Sequence, residues 1–194
     1  MPNITAKRVS NYELFYDLVF VLATSGLTGL LHNEHFTLQS LIIFISASVG
    51  ILSIWYYETV YLNKFGERDR IDIYTIIAGM FVIGQMSVNM TSRPTQATLT
   101  LFQFLYALAY GIILLQFYLR GKKDGFNSDF LFHVKNLVAI VIFYLLTTVG
   151  AATNLLKIGN WAMFVTFVPL LIPFFLRNVD MTKSINFPHL LERC

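Results

Sequence analysis

The chain has 194 residues, 56% hydrophobic and 13% charged, with a net charge of +3 and a mean hydropathy of +0.61. A soluble domain carries about 25% charged residues, so the composition excludes an ordinary soluble fold and points to a polytopic membrane protein. The single cysteine, Cys194, excludes a disulfide framework and a cysteine-based metal site within the chain.

The first apolar run, 11–31, holds two carboxylates, Glu13 and Asp17. Its length, about 20 residues, suits a membrane-spanning helix. Spaced four apart, the two acids share one face of that helix. Ionisable groups there cost roughly 2.5–3.5 kcal/mol each at the bilayer centre, so the pair needs a physical reason. Ser10-Asn-Tyr-Glu13 fits a capping box, in which Glu13 bonds back to the Ser10 backbone N–H. A first-turn acid also suits the positive end of the helix dipole. Asp17 lies about 6 Å further along the helix, beyond any capping role. For Asp17 a structural pairing inside the bundle and a place on an ion path both stand. Thr24 and Thr28 extend the same broad face. His32-Asn-Glu-His35 follows in place of a small-residue cleavage site, so no cleavable signal peptide is expected.

Five further runs have spanning length: 41–63, 71–90, 101–119, 131–153 and 161–177. They are continuously apolar, not alternating, which excludes barrel strands. The expected fold is therefore all-α, a bundle of six transmembrane helices. In the second run Ser46, Gly50, Ser53 and Tyr57 share a face that reads as a packing surface. Trp55, Tyr56, Tyr57 and Tyr61 read as an aromatic belt near its end. Glu58 is expected to pair with Arg68 or Arg70, or to reach the interface. Asp72 opens the third run as a dipole-friendly acid. Gln103, Tyr106 and Tyr110 share a face of the fourth. His133, Lys135 and Asn136 open the fifth, with His133 expected at the interface. Pro169 and Pro173 each remove a backbone donor and should bend the sixth.

Basic residues orient the bundle. Lys7, Arg8, Lys64, Arg68, Arg70, Arg120, Lys122, Lys123, Lys135, Arg177, Lys183 and Arg193 fall on one side, and Arg93 and Lys157 on the other. The positive-inside rule then puts both termini in the cytoplasm. The expected organisation is a cytoplasmic tail at 1–10, the bundle at 11–178 and a cytoplasmic segment at 179–194. Glu13, Asp17, Glu58, Asp72, His133 and Lys135 collect in the cytoplasmic half, as an ion or proton site or as a structural polar cluster. No phosphate-binding glycine loop, nucleophile elbow or HExxH is present. No enzymatic activity, cofactor, metal or nucleic-acid partner is expected; the lipid bilayer is, and a small ion stands as a candidate only.

Arg8-Val-Ser-Asn-Tyr-Glu-Leu-Phe-Tyr-Asp-Leu-Val-Phe-Val21 resembles the N-terminal signature of the bacterial low temperature requirement A proteins, whose first span reads E-L-F-[FY]-D-L-[VA]-[FY]-V. Trp55 to Phe65 resembles the end of that family's second span, and Arg68-Asp-Arg-Ile-Asp72 the loop and span start that follow. Phe187-Pro-His-Leu-Leu-Glu-Arg193 resembles the opening of its second half, H-[LIV]-x-E-R-F-G, with Cys194 where phenylalanine is expected. The resemblance implies a multi-pass inner-membrane protein associated with growth in the cold, with no established molecular activity. It further implies a truncated or half-length member, in which Glu192 echoes Glu13 and the chain pairs with a second copy or a missing second half. Two mechanisms are open. Asp17, Glu13 and Glu58 could form an acidic site for proton or ion movement. Alternatively the acids pair with Lys135, His133 or Arg68 and lock a membrane scaffold or partner subunit.

Overall fold

The computed structural model describes residues 11–30, 38–66, 69–91, 94–126 and 128–157, together with Phe167. Ser10, the His32–His35 segment, Arg68, Pro169, Pro173 and the segment 179–194 lie outside the described residues, as does the expected sixth span but for Phe167. The described residues form five helices: α1 Asn11–Gly29, α2 Leu38–Lys64, α3 Arg70–Val88, α4 Gln96–Asp124 and α5 Ser128–Ala152. Among the described residues there is no strand. Among the described residues four helices, α2 to α5, are long and apolar enough to cross a membrane; six spans were expected, the sixth of them outside the described residues. With 19 residues α1 has the length, but Asn11, Glu13, Asp17 and its serine, threonine and glycine residues dilute its apolar character.

Local chemistry sets the helix ends. The Asp69 carboxylate accepts the Asp72 N–H at 3.2 Å and caps α3. The Thr95 hydroxyl accepts the Thr98 N–H at 3.2 Å and caps α4. At the far end of α4, Gly125 takes φ 90° and its N–H donates to the Gly121 carbonyl at 2.9 Å, a backbone conformation that favours glycine. These caps carry α4 more than a turn beyond the expected 101–119 at each end, so Arg120 is helical and not in a loop.

Helix α4 is the central element and packs against α5, α3 and α2, while α1 packs against α3 and α2. The buried residues of α1, Glu13, Tyr16, Phe20, Ala23 and Leu27, recur at helical spacing. Thr24 and Thr28 instead bond back to the Val21 and Ser25 carbonyls at 2.8 and 2.7 Å, and Thr28 is exposed. The polar face expected along α1 therefore does not continue as one buried stripe.

The faces expected on the second and fourth runs meet. Ser46, Gly50, Ser53 and Tyr57 are buried, and so are Gln103, Tyr106 and Tyr110. The Ser53 and Tyr110 hydroxyls lie 2.7 Å apart. Gly50 sits directly against the Tyr106 ring, in space that any Cβ would occupy. Tyr106 and Tyr110 both stack on Tyr144 of α5, at 5.2 and 5.6 Å. The expected aromatic belt is corrected: Tyr57 and Tyr61 are core residues, Trp55 is half-buried and Tyr56 is exposed. Large apolar side chains such as Phe15, Leu18 and Val21 of α1, Phe81 of α3 and Leu146 of α5 face outward, as a lipid-facing surface requires.

Candidate functional site: a buried ionic centre at the foot of a polar seam

The cap on α3 places Asp72 in the first turn, fully buried at 0% exposure. Two helices converge on its carboxylate. The Tyr61 hydroxyl of α2 donates to Oδ1 at 2.6 Å. Arg120 Nη2 of α4 donates to Oδ2 at 3.0 Å. The guanidinium is itself only 1% exposed and also lies 3.4 Å from Asp69 Oδ2 and 3.7 Å from Asp124 Oδ2. Lys123 Nζ donates to Asp69 Oδ2 at 3.2 Å. Ions at this depth persist only when paired and hydrogen-bonded, because desolvation costs several kcal/mol per ion. Burial pushes the Asp69 carboxyl up, but the Asp72 N–H and the Lys123 and Arg120 cations outweigh it and hold the carboxyl below its ordinary range.

Above this centre, Glu58 of α2 is 2% exposed, and Gln116 Nε2 of α4 donates to its Oε1 at 2.8 Å. Tyr57 follows, edge-on to Tyr110 at 5.7 Å. Then come Ser53, Tyr110, Tyr144 and Tyr106, and beyond them Gln103, whose Oε1 accepts the Thr147 hydroxyl at 3.0 Å. Polar side chains thus run in a seam between α2, α4 and α5, from Arg120 at one end to Gln103 near the other. Buried polar groups in a bundle of apolar helices are expensive, and they commonly mark a path or a lock.

The remaining sequence-predicted residues fall at different places. Glu13 is buried in the first turn of α1. Asp17 is half-buried, and Trp55 Nε1 of α2 donates to its Oδ1 at 3.0 Å. His133 is buried and stacked on Phe117 at 5.2 Å. Lys135 is exposed and stands apart from the ionic centre. The cation that Asp72 meets is Arg120, which sequence reasoning took for a topology charge. Its signal was available: Gln103, Tyr106, Tyr110, Ile113, Phe117 and Arg120 lie three and four apart on one buried face. Tyr61 and Gln116 were missed because neither carries a charge.

The family model of the bacterial low temperature requirement A proteins (LtrA) matches residues 8–194. The chain belongs to the LtrA family. No curated protein and no solved structure matches it. The LtrA match spans the whole ionic centre and seam, so both belong to the family's region of the chain. Apolar helices of membrane length and family membership together make this an LtrA-family membrane protein.

Proposed function

We propose that this LtrA-family chain is an inner-membrane protein of six spans with both termini in the cytoplasm, and that it serves growth at low temperature by moving protons along the polar seam. The observation that carries the reading is Glu58: a buried carboxyl within the polar seam, to which the side-chain amide of Gln116 donates a hydrogen bond. Such a carboxyl can gain and lose a proton without breaking the Asp72–Arg120 ion pair. Asp72 has the opposite character. Arg120, whose guanidinium stays charged in a protein, pairs with Asp72 and occupies the foot of the seam. Asp17 bonds to Trp55, which lies three residues before Glu58 on α2 and so on the same side of that helix. It is the proton's entry group from α1.

The test is proton flux into liposomes holding the purified chain and a trapped pH probe. Wild type should acidify the lumen under an imposed gradient, Glu58→Gln should abolish this, and Asp17→Asn should slow it about tenfold or more. Absence of flux in wild type overturns the reading.

The ionic centre favours a second reading, a structural scaffold or partner subunit, because Arg120 locks α4 onto α3 and Tyr61 locks α2 onto both. In that case all variants are silent in flux, while Asp72→Asn lowers thermal stability and Glu58→Gln does not.

A further inference from the structure

At the end of the bundle opposite Arg120, α2, α4 and the residues just beyond α1 and α3 leave a cavity of about 90 Å³. Ile43, Ala47, Leu99 and Phe102 supply much of its apolar wall, and Ser46, Gln103 and Tyr106 its most deeply buried part. Among the described residues lining it, none is Asp, Glu, Lys, Arg or His, so they offer an uncharged group apolar contact and a hydroxyl, and a charged one no counter-charge.

Ser46 sets the chemistry of the site. Helical serines in apolar surroundings usually bond back to their own helix. Ser48 does so to the Phe44 carbonyl at 2.7 Å, and Ser53 to the Gly50 carbonyl at 2.9 Å. Ser46 is 5% exposed, and its hydroxyl has no hydrogen-bond partner among the described residues. A buried hydroxyl left in this state on a cavity wall lacks the partner that buried polar groups almost always have.

We propose that this cavity binds a small uncharged amphiphile, a short aliphatic alcohol in size and chemistry, with its hydroxyl on Ser46 and its carbon chain against Ile43, Ala47, Leu99 and Phe102. An apolar cavity of about 150 Å³ holds benzene, so this smaller one takes no more than a short-chain alcohol. The site does not depend on proton movement, and no flux measurement enters its test.

The test is photolabelling of the full chain in detergent with a short diazirine-bearing alcohol, competed by 1-butanol and mapped by peptide mass spectrometry. Label should fall on the peptides holding Ser46 and Phe102 and disappear with excess 1-butanol. Ala47→Phe fills the cavity and should remove the label. Ser46→Ala keeps the cavity and removes one hydrogen bond, so competition should need about tenfold more 1-butanol. Both variants are scored only on monodisperse fractions with wild-type helicity. Label confined to outward-facing residues such as Phe15 or Leu146, or label that Ala47→Phe leaves in place, overturns the site. Unchanged competition in Ser46→Ala overturns the hydroxyl contact even should Ala47→Phe fail to fold.

Discussion

Arg120 is the residue on which the ionic centre turns. It is buried against Asp72 and within ion-pair distance of Asp69 and Asp124. Removing one partner of a buried pair strands the other charge, which costs about 3–5 kcal/mol, whereas replacing both partners with neutral groups costs far less. Arg120→Ala should therefore lower stability by about that amount in detergent thermal melts, and Arg120→Met with Asp72→Asn should recover most of it. A double variant no more stable than Arg120→Ala would show that the pair is not coupled. Asp69 gives the centre a pH dependence. Its folded-state carboxyl sits below its ordinary value near 3.9, so its contribution is fully present above that value and is lost as pH falls through the lower folded value. Melts taken from pH 6 down to pH 3 should show a fall near the acid end that Asp69→Asn lacks.

At the scale of elements, the sequence displayed helix centres better than helix ends. The polar faces of α2 and α4 are visible in the letters alone, but the face that buries Tyr16, Phe20, Ala23 and Leu27 in α1 is not, because Leu14, Phe15, Leu18, Val21 and Leu22 are as apolar and face outward. The ends of α4 were not legible, because the span rule reads Arg120 as the start of a loop. Only a partner on another helix, Asp72, makes a guanidinium tolerable inside, and that contact joins residues 48 positions apart. The glycines offer a sharp contrast on α2 and α4. A Cβ at Gly50 collides with the Tyr106 ring and hydroxyl, whereas one at Gly111 meets nothing within 4 Å. Tyr106 is held by its stack on Tyr144 and cannot yield cheaply. Gly50→Ala should cost about 1–3 kcal/mol by overpacking, and Gly111→Ala should be neutral or gain up to about 1 kcal/mol of helix propensity. Equal melting shifts in the two variants would mean that the α2–α4 contact is not this close.

For the whole molecule, the open question is how the bundle sits across a bilayer, and α5 provides the measuring rod. Its 25 residues extend about 37 Å at 1.5 Å each, more than the roughly 30 Å of a hydrocarbon core. Lys122 is exposed at the end of α4 that adjoins the start of α5, and Leu155 is exposed just beyond the far end of α5. The two positions therefore report opposite faces of the membrane if α5 crosses it. In the proposed orientation the face near Lys122, rich in basic residues, is the cytoplasmic one. In a Cys194→Ser background, Leu155→Cys should react with a membrane-impermeant maleimide in intact spheroplasts. Lys122→Cys should react only in inverted vesicles or after permeabilisation. The reverse pattern would invert the orientation and place the ionic centre on the outer face. Reaction of both positions from one side would mean that α5 does not cross, and the proton path along the α2, α4 and α5 seam would lose its membrane.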